Sequence, residues 1–139
     1  MADSINYLLQ SIGFIRSELK SRSEAPRQNY EGAPHAWVEL DAKFLNAFEG
    51  ISVDEEIILI SWLHKSRREV LKVHPRGRID LPEMGVFATR SPDRPNPLGL
   101  HRVKVLEIRE NKIKVAPLEV IDGTPIVDIK PILKKSDDR

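Results

Sequence analysis

Residues 100–120 read LHRVKVLEIRENKIKVAPLEV, and apolar and charged side chains alternate along two parts of this stretch. Val103 and Val105 alternate with basic residues in the first part, as Ile113 and Val115 do in the second. Alternation with a period of two directs one set of side chains to each face of a β-strand. An asparagine among charged residues separates the two parts and is typical of a turn. The stretch therefore predicts a β-hairpin with one apolar face and one polar face.

The same patterns on both sides of the hairpin predict a mostly β chain. The predicted strands span residues 12–17, 36–40, 56–64, 68–74, 84–89, 100–107, 112–120 and 126–130. Residues 41–49 have the pattern of a short helix, with Asp41 as N-cap and Gly50 at its end. Its predicted buried side consists of Phe44, Leu45 and Phe48. Short strands separated by turn residues predict a small antiparallel β-barrel with one or two short helices. Strands and helices do not alternate, and no G-x-G-x-x-G follows a strand, so the fold is not Rossmann.

The composition places the chain among ordinary globular proteins. Of its 139 residues 40% are hydrophobic and 31% are charged. These values predict one domain over residues 1–139, with a core at about 10–132 and a polar tail at 133–139. Cysteine is absent, which excludes disulfides, thiolate nucleophiles and cysteine-ligated zinc. The histidines lack metal-ligand spacing, and neither a signal peptide nor an apolar run of membrane length is present. We expect a cytoplasmic protein that binds no metal ion and does not associate with a membrane.

Basic residues are unevenly distributed, although the formal net charge is only +1. Residues 64–114 hold 13 lysines and arginines against 6 acidic residues, and the densest part is 65–78. A basic region of this kind suits the phosphate backbone of a nucleic acid. The predicted RNA-binding residues are Arg67, Arg68, Arg76, Arg78 and Arg94. The alternative is a pair of strands whose wet face carries solvated lysines and arginines.

Residues 85–100, GVFATRSPDRPNPLGL, contain three prolines within six positions. Proline fixes φ and pushes the residue before it into an extended conformation, so this segment is predicted to be a stiff loop. A stiff loop can aim polar side chains at a ligand with little further loss of entropy. Arg90 and Arg94 carry planar guanidinium groups that suit a carboxylate or a phosphate. The same residues also fit a rigid surface turn with solvated charges.

Several segments together carry a resemblance to a known family. They are IGFIRS at 12–17, PRQ at 26–28, His64, the loop at 85–100, DGTP at 122–125 and DIKP at 128–131. Over about residues 10–132 the chain resembles the TsaA-like family, which contains the TrmO-type tRNA N6-adenosine methyltransferases. The resemblance implies a β-barrel that binds S-adenosylmethionine and works as a homodimer with the cofactor near the subunit interface. The implied macromolecular partner is tRNA.

The resemblance also implies which residues bind the cofactor. They are Pro26, Arg27, Gln28, His64, Lys65, Arg90, Leu100, Asp122, Gly123, Thr124 and Pro125. Arg90 is expected to hold the methionine carboxylate as a bidentate partner. Taken alone, His64 is a histidine at a strand end, and residues 122–125 are a turn in which glycine permits a positive φ.

Three residues are candidates for catalysis. Asp128 and Lys130 lie two positions apart and share one face of a strand, where Asp128 can accept the proton of the nucleophile. The two can equally form an ordinary surface ion pair. Asn96 precedes a proline, and in adenine N6-methyltransferases of other folds an asparagine beside a proline hydrogen-bonds the exocyclic amine. Carrying this role to Asn96 is a hypothesis by analogy.

By resemblance, the protein methylates N6 of threonylcarbamoyladenosine next to the anticodon of tRNA. Two alternatives stay open. One is a non-catalytic barrel that binds RNA or a nucleotide, and the other is a methyltransferase acting on a small metabolite. The chain departs from the family at Ile132, where relatives often have an aromatic residue, and at His101, where a small residue is common. The segment after residue 132 is also short compared with the usual extension of the family.

Overall fold

Six antiparallel strands close into a barrel in the computed structural model, which describes residues 4–18 and 34–139. The strands in chain order are β1 (Gly13–Arg16), β2 (Ala36–Leu40), β3 (Glu56–Trp62), β4 (Lys72–Val73), β5 (Met84–Gly85), β6 (Leu98–Arg109), β7 (Lys112–Ala116) and β8 (Pro125–Pro131). The barrel order is β1-β2-β7-β6-β3-β8, while β4 and β5 pair with each other. Short 3₁₀ helices span Ala42–Phe48, Pro75–Gly77 and Val86–Ala88. The predicted antiparallel β-barrel with short helices is confirmed.

The barrel interior is filled by inward side chains from all six of its strands. Burial alternates along β2, β3 and β7, as the two-residue period requires. Fully buried members of the core include Ile15, Val38, Leu59, Val105, Ile113, Val115 and Ile126. The predicted hairpin is present as β6 and β7, with Val105 opposite Val115. Removing this apolar surface from water is the main source of the stability of the barrel.

The strand predicted at 68–74 is wrong for most of its length, because only Lys72–Val73 pairs as a strand. The backbone before it bonds to the proline-rich loop instead. The amide of Arg67 donates to Asp93 Oδ1 at 2.8 Å, and the carbonyl of Arg67 accepts from the Arg94 amide at 3.0 Å. The apolar pattern of residues 68–74 could not reveal that the backbone of the adjoining Arg67 bonds to a loop and not to a strand.

Two other predicted strands end early. The strand predicted at 84–89 stops at Gly85, and the chain continues as a short 3₁₀ helix. The strand predicted at 112–120 ends at Ala116. The next residue, Pro117, has no amide hydrogen to donate to a neighbouring strand.

The helix predicted at 41–49 is present as a 3₁₀ helix. Asp41 is its N-cap as predicted, and its Oδ1 accepts from the Lys43 amide at 3.1 Å. The predicted burial is wrong for Leu45, which is exposed, whereas Phe48 packs partly buried against the core. The tighter 3₁₀ turn changes which side chains share a face. Across the described residues, no helix has both the length and the apolar character needed to cross a membrane.

One end of the barrel gathers the segments that carry the predicted site. β1, β3 and β7 finish there, and their antiparallel neighbours β2, β6 and β8 begin there. Ser61 near the end of β3 lies opposite Gly99 near the start of β6. On its other side Ser61 lies opposite Ile126 near the start of β8. We call this end the site end of the barrel.

Candidate functional site

The predicted turn at 122–125 forms at the site end and is tied to β1 by its backbone. The Ile15 amide donates to the Thr124 carbonyl at 2.9 Å, and the Gly123 amide donates to the Ile15 carbonyl at 2.8 Å. Asp122 Oδ1 accepts from the Ser17 amide at 3.0 Å. Gly123 has a φ of +84°, a conformation that most side chains would strain. The turn therefore holds a carboxylate beside the end of β1.

The proline-rich loop is fastened from inside by Arg94. The guanidinium of Arg94 donates to the carbonyls of Thr89, Ser91 and Val86 at 3.1, 3.0 and 3.0 Å. It also lies 6.0 Å from the centroid of the Phe87 ring. Three charge-assisted hydrogen bonds to main-chain oxygens brace the loop in addition to its prolines. The structure therefore gives Arg94 a loop-bracing position, and its predicted contact with RNA stays a prediction.

Arg68 braces the same loop from the side of β3. Its Nε donates to the Pro95 carbonyl at 2.7 Å, and its Nη2 donates to Asn96 Oδ1 at 3.1 Å. Its guanidinium lies 5.1 Å from the centroid of the Trp62 ring, a cation–π distance. These contacts hold Asn96 in one position relative to the end of β3. The RNA contact predicted for Arg68 also stays a prediction.

His64 and Lys65 follow β3 at the site end. The preceding amide, that of Leu63, donates to the Pro97 carbonyl at 2.8 Å, which keeps this segment against the loop. Burial, and then the charge of Lys65, lower the pKa of His64. A neutral imidazole at neutral pH can both donate and accept a hydrogen bond. Arg90 lies at the start of the same loop with its side chain exposed.

Leu100 and Asp128 lie on the outer surface of the barrel, on either side of Ile60. The register places Ile60 opposite Leu100 on β6 and opposite Asp128 on β8. Lys130 Nζ is 3.3 Å from Asp128 Oδ2, and both side chains are exposed by half or more. The predicted catalytic pair and one predicted cofactor contact therefore share an outer surface. Asp128, Lys130 and Leu100 do not point into the apolar interior of the barrel.

The described residues thus bring most of the predicted cofactor site to the site end and the adjoining outer surface. These residues are His64, Lys65, Leu100, Asp122, Gly123, Thr124 and Pro125, while Arg90 is an exposed residue of the proline-rich loop. Thr124 is fully buried and donates to the Ile121 carbonyl at 2.7 Å, so it supports the turn from within. Pro26, Arg27 and Gln28 lie outside the described residues.

Three of the predicted RNA-binding arginines, Arg67, Arg76 and Arg78, belong to a small lobe of residues 67–85 outside the barrel. An open groove of about 550 Å³ in this lobe is lined by residues that include Arg67, Leu71, Lys72, His74 and Ile79. Arg67 pairs with Glu69 and Arg78 with Asp80, each at 2.6 Å. Both pairs are exposed and therefore contribute little to stability. No residue of the turn at 122–125 lines this groove.

A polar contact inside the barrel was not predicted. Ser61 Oγ lies 2.7 Å from His101 Nε2, and Ser61 is completely buried. Burial lowers the pKa of His101 from 6.5 to about 4. A Cβ on Gly99 would lie 2.4 Å from Ser61 Oγ, so only glycine leaves room for this pair. Its one signal in the sequence is a serine at an inward position after Ile57 and Leu59.

Glu119 is a second polar residue that sequence reasoning missed. Its Oε1 is buried and has no hydrogen-bond partner in the part of the chain that the structure describes. Burial raises the pKa of this carboxyl group. Glu119 precedes the turn at 122–125 by three residues, so an acceptor lies close to that turn in sequence. Within residues 4–18 and 34–139, no three histidine or acidic side chains are grouped to hold a metal ion.

Comparison with known families gives a match over most of the chain. The family model described as the tRNA-methyltransferase O N-terminal domain matches residues 14–138. A probable S-adenosyl-L-methionine-binding protein of Methanothermobacter thermautotrophicus is 38% identical over 129 residues, which is 93% of this chain and 92% of that protein. An S-adenosyl-L-methionine-binding protein of Archaeoglobus fulgidus is 37% identical over 123 residues, or 88% of this chain and 87% of that protein.

A solved structure has the same fold. The crystal structure of TrmO from Pseudomonas aeruginosa superposes with a TM-score of 0.74 at 27% sequence identity and covers 99% of this chain. The match spans 61% of that TrmO chain. This chain therefore corresponds to about three fifths of the length of the solved protein.

Proposed function

The chain belongs to the tRNA-methyltransferase O N-terminal domain family, and on that premise we propose that it is an S-adenosyl-L-methionine-dependent tRNA methyltransferase. The proposed target is N6 of threonylcarbamoyladenosine next to the anticodon, and the proposed location is the cytoplasm. The observation that carries the proposal is the position of the proline-rich loop, His64 and the Asp122 turn at one end of the barrel. Relatives of similar length are named as S-adenosyl-L-methionine-binding proteins.

Residues at the site end fit the chemistry of this cofactor. Arg90 is an exposed guanidinium, which suits the methionine carboxylate. Asp122 and Glu119 supply carboxylate oxygens for the ribose hydroxyls. The buried Oε1 of Glu119, which has no hydrogen-bond partner among residues 4–18 and 34–139, is an acceptor that a hydroxyl would satisfy. Leu100, which is 53% exposed, offers apolar surface to the adenine ring. When bound, the cofactor supplies a methyl group on a sulfonium sulfur.

The chain's own residues must then orient the acceptor amine and take its proton. Orientation is chiefly an entropic problem, which a braced loop helps to solve. Asn96 is proposed to hydrogen-bond the amine: its Oδ1 accepts from Arg68, and an amide oxygen can accept a second hydrogen bond. Asp128 is the proposed proton acceptor, with Lys130 3.3 Å away as its positioning residue. In threonylcarbamoyladenosine the carbamoyl group withdraws electron density from N6, so a carboxylate can suffice as the base.

Arg90→Ala is expected to weaken S-adenosyl-L-methionine binding at least tenfold. The substitution removes a charge-assisted, bidentate partner of the carboxylate, a type of hydrogen bond that contributes about 1.5–3 kcal/mol. Isothermal titration calorimetry of wild type and variant measures the change. Arg78→Ala is the matched control, because Arg78 is also exposed but pairs with Asp80 in the small lobe. Equal affinities of Arg90→Ala and wild type would remove Arg90 from the cofactor site.

The activity is tested by incubating the protein with labelled S-adenosyl-L-methionine and bulk tRNA that lacks the modification. We expect label in tRNA, with nucleoside mass analysis placing the methyl group on threonylcarbamoyladenosine. Absence of both cofactor binding and label transfer would favour the non-catalytic RNA- or nucleotide-binding barrel. Transfer to small metabolites, with no dependence of substrate affinity on salt, would favour the metabolite methyltransferase, because phosphate contacts release counterions.

The proposed enzyme is a homodimer that uses the outer surface of β3 and β6. The apolar face consists of Ile58, Ile60, Trp62, Leu98 and Leu100, and its members alternate with the inward residues of the two strands. Leu98 and Leu100 are 44% and 53% exposed. A contiguous exposed apolar face is typical of an interface. Because Leu100 and Asp128 flank Ile60, a second copy on this face would bring the cofactor site to the subunit boundary.

Leu100→Asp is expected to convert a dimer into a monomer. A carboxylate buried without a partner in an interface costs several kcal/mol. Light scattering coupled to size exclusion should give twice the chain mass of 15.9 kDa for wild type and the single mass for the variant. Leu106→Asp is the matched control, since Leu106 is a leucine on β6 that is 41% exposed and lies outside the apolar face. A monomeric wild type at tens of micromolar would refute the dimer.

A further inference from the structure

The outer surface of β1, β2 and β7 carries a pattern that the cofactor site does not use. Two rows of outward side chains cross these strands in register. The first row is Arg16, Trp37 and Lys114, and the second row is Phe14, Glu39 and Lys112. Arg109 at the end of β6 lies opposite Lys112 and extends the second row. Aromatic and basic side chains therefore share one continuous sheet surface.

We propose that this surface binds an unpaired segment of RNA. We name it the aromatic–basic face and define it as Phe14, Arg16, Trp37, Arg109, Lys112 and Lys114. Proteins that bind single-stranded nucleic acid combine cations for the backbone with aromatic rings on which bases stack. Sequence-specific recognition of RNA likewise targets loops whose bases stack on aromatic or guanidinium groups. The proposal deepens the proposed function, on which it rests, by placing the loop of the tRNA substrate.

The aromatic rings of this face are available on the surface. Phe14 is 42% exposed on β1, although its neighbours Gly13 and Ile15 are buried. Trp37 is partly exposed, and the guanidinium of Arg109 lies 5.4 Å from the centroid of its ring. The indole and the guanidinium together form a flat, positively charged surface, and a base can stack on either group. Neither ring is needed to fill the barrel core.

The charge of the face favours RNA over a second protein copy. Its four cations stand against two carboxylates, those of Glu39 and Glu107. Both carboxylates are already paired, Glu39 with Arg16 at 3.2 Å and Glu107 with Arg109. In the described part of the chain, Lys112 and Lys114 have no ion-pair partner. A surface with excess positive charge repels its own copy and attracts phosphate.

The position of the face suits delivery of a nucleotide to the proposed catalytic residues. Arg16 is followed by Ser17, whose amide donates to Asp122 in the turn of the site end. On the other side β1 pairs with β8, with Phe14 opposite Pro125. β8 carries Asp128 on its outer surface, three residues beyond Pro125. Phe14 and Asp128 therefore lie on neighbouring strands, separated by roughly 10 Å along the strand direction. An RNA loop on the face would reach Asp128 by extending from β1 onto the adjacent β8.

The test uses a fluorescently labelled RNA hairpin with a seven-nucleotide loop, and the blunt duplex of its stem as the comparison probe. Fluorescence anisotropy at two salt concentrations measures affinity for each probe. The Lys112→Glu, Lys114→Glu double variant should bind the hairpin at least tenfold more weakly, with a salt slope reduced by about 2. Phe14→Ala should weaken the hairpin about tenfold through lost stacking and change duplex binding little. The control Lys134→Glu, Lys135→Glu makes the same charge change in the tail and should keep wild-type affinity.

Two further readouts complete the test. Tryptophan fluorescence reports base stacking directly, and calorimetry shows whether a variant has also damaged the fold or the cofactor site. In a Trp62→Phe background Trp37 is the only tryptophan, since the chain has two, and its fluorescence should be quenched by the hairpin. Calorimetry should give unchanged S-adenosyl-L-methionine affinity for every variant of the aromatic–basic face. Wild-type hairpin affinity in the face variants, or no hairpin binding by wild type, overturns the inference. Loss of hairpin binding in face variants supports it, whether or not the enzyme transfers methyl groups to tRNA.

Discussion

Gly13→Ala is expected to lower the free energy of unfolding by about 3 kcal/mol. A Cβ at this position would lie 2.4 Å from the Glu39 carbonyl oxygen and 3.1 Å from Leu40 Cα. Both atoms belong to the backbone of β2, and Gly13 pairs directly with Leu40. A backbone atom cannot rotate away as a side chain can, so β1 and β2 must separate where the barrel closes. Close-packed interiors transmit such strain to the surrounding structure.

Urea unfolding followed by circular dichroism measures this loss. Gly85→Ala is the matched control, because Gly85 is also a strand glycine and the nearest atom to its Cβ would be the Leu71 carbonyl oxygen at 4.0 Å. That distance is an ordinary contact, so the control should change stability by less than about 1 kcal/mol. A Gly13→Ala protein with the wild-type midpoint would mean that β1 and β2 are not packed as described.

Lowering the pH from 6.5 to 4 is expected to remove up to about 3 kcal/mol of stability through His101 alone. Burial lowers the pKa of His101 from 6.5 to about 4, so the folded protein keeps the imidazole neutral across this window. The unfolded chain binds a proton there with its ordinary pKa. Since the unfolded state holds more protons, stability falls as the pH falls through 6.5 and the loss is complete below about 4. Protonation of His64, whose pKa is also lowered, acts in the same direction.

The contribution of His101 is isolated by comparing urea midpoints of wild type and His101→Gln between pH 7.5 and 4. Glutamine can keep a hydrogen bond to Ser61 but does not titrate, so the stability difference between the two proteins should change across the window. Ser61→Ala is the control, because it removes the hydrogen bond and leaves the histidine. The urea midpoint of Ser61→Ala should change with pH as that of wild type does, but at a constant difference from the wild-type values. If the urea midpoints of wild type and His101→Gln changed in parallel with pH, protonation of His101 would not be the cause of the loss of stability.

The two loop-bracing arginines illustrate why charge patterns alone assign roles poorly. Arg68 and Arg94 belong to the basic part of the sequence, which predicts solvated side chains facing phosphate. The structure instead directs both guanidinium groups at main-chain oxygens of the proline-rich loop. The Pro95 carbonyl that accepts from Arg68 is 27 positions away, so no short pattern could reveal that contact. The carbonyls that accept from Arg94 are three to eight positions away, and only the folded shape of the loop turns them toward its guanidinium. The alternating pattern, in contrast, predicts only that Lys112 and Lys114 occupy polar positions of a hairpin.

Local patterns were sufficient where the structure depends on neighbouring residues. The hairpin of β6 and β7, the N-cap at Asp41 and the turn at 122–125 each follow from backbone preferences within a few positions. Patterns failed for the strand predicted at 68–74, where the backbone of the adjoining Arg67 and the side chain of Arg68 bond to the loop. They also failed for the face of the short helix, because the choice between α and 3₁₀ geometry depends on packing.

The amino-acid sequence by itself determined where most strands of the barrel begin, the turns and the stiffness of the loop, because alternation, glycine and proline act on the local backbone. Only the tertiary structure decided which strands became neighbours. It placed His101 on Ser61, 40 residues apart, and aligned Arg16, Trp37 and Lys114 from three strands in one row. Register and strand order follow from burying one common core, and that depends on the whole chain at once.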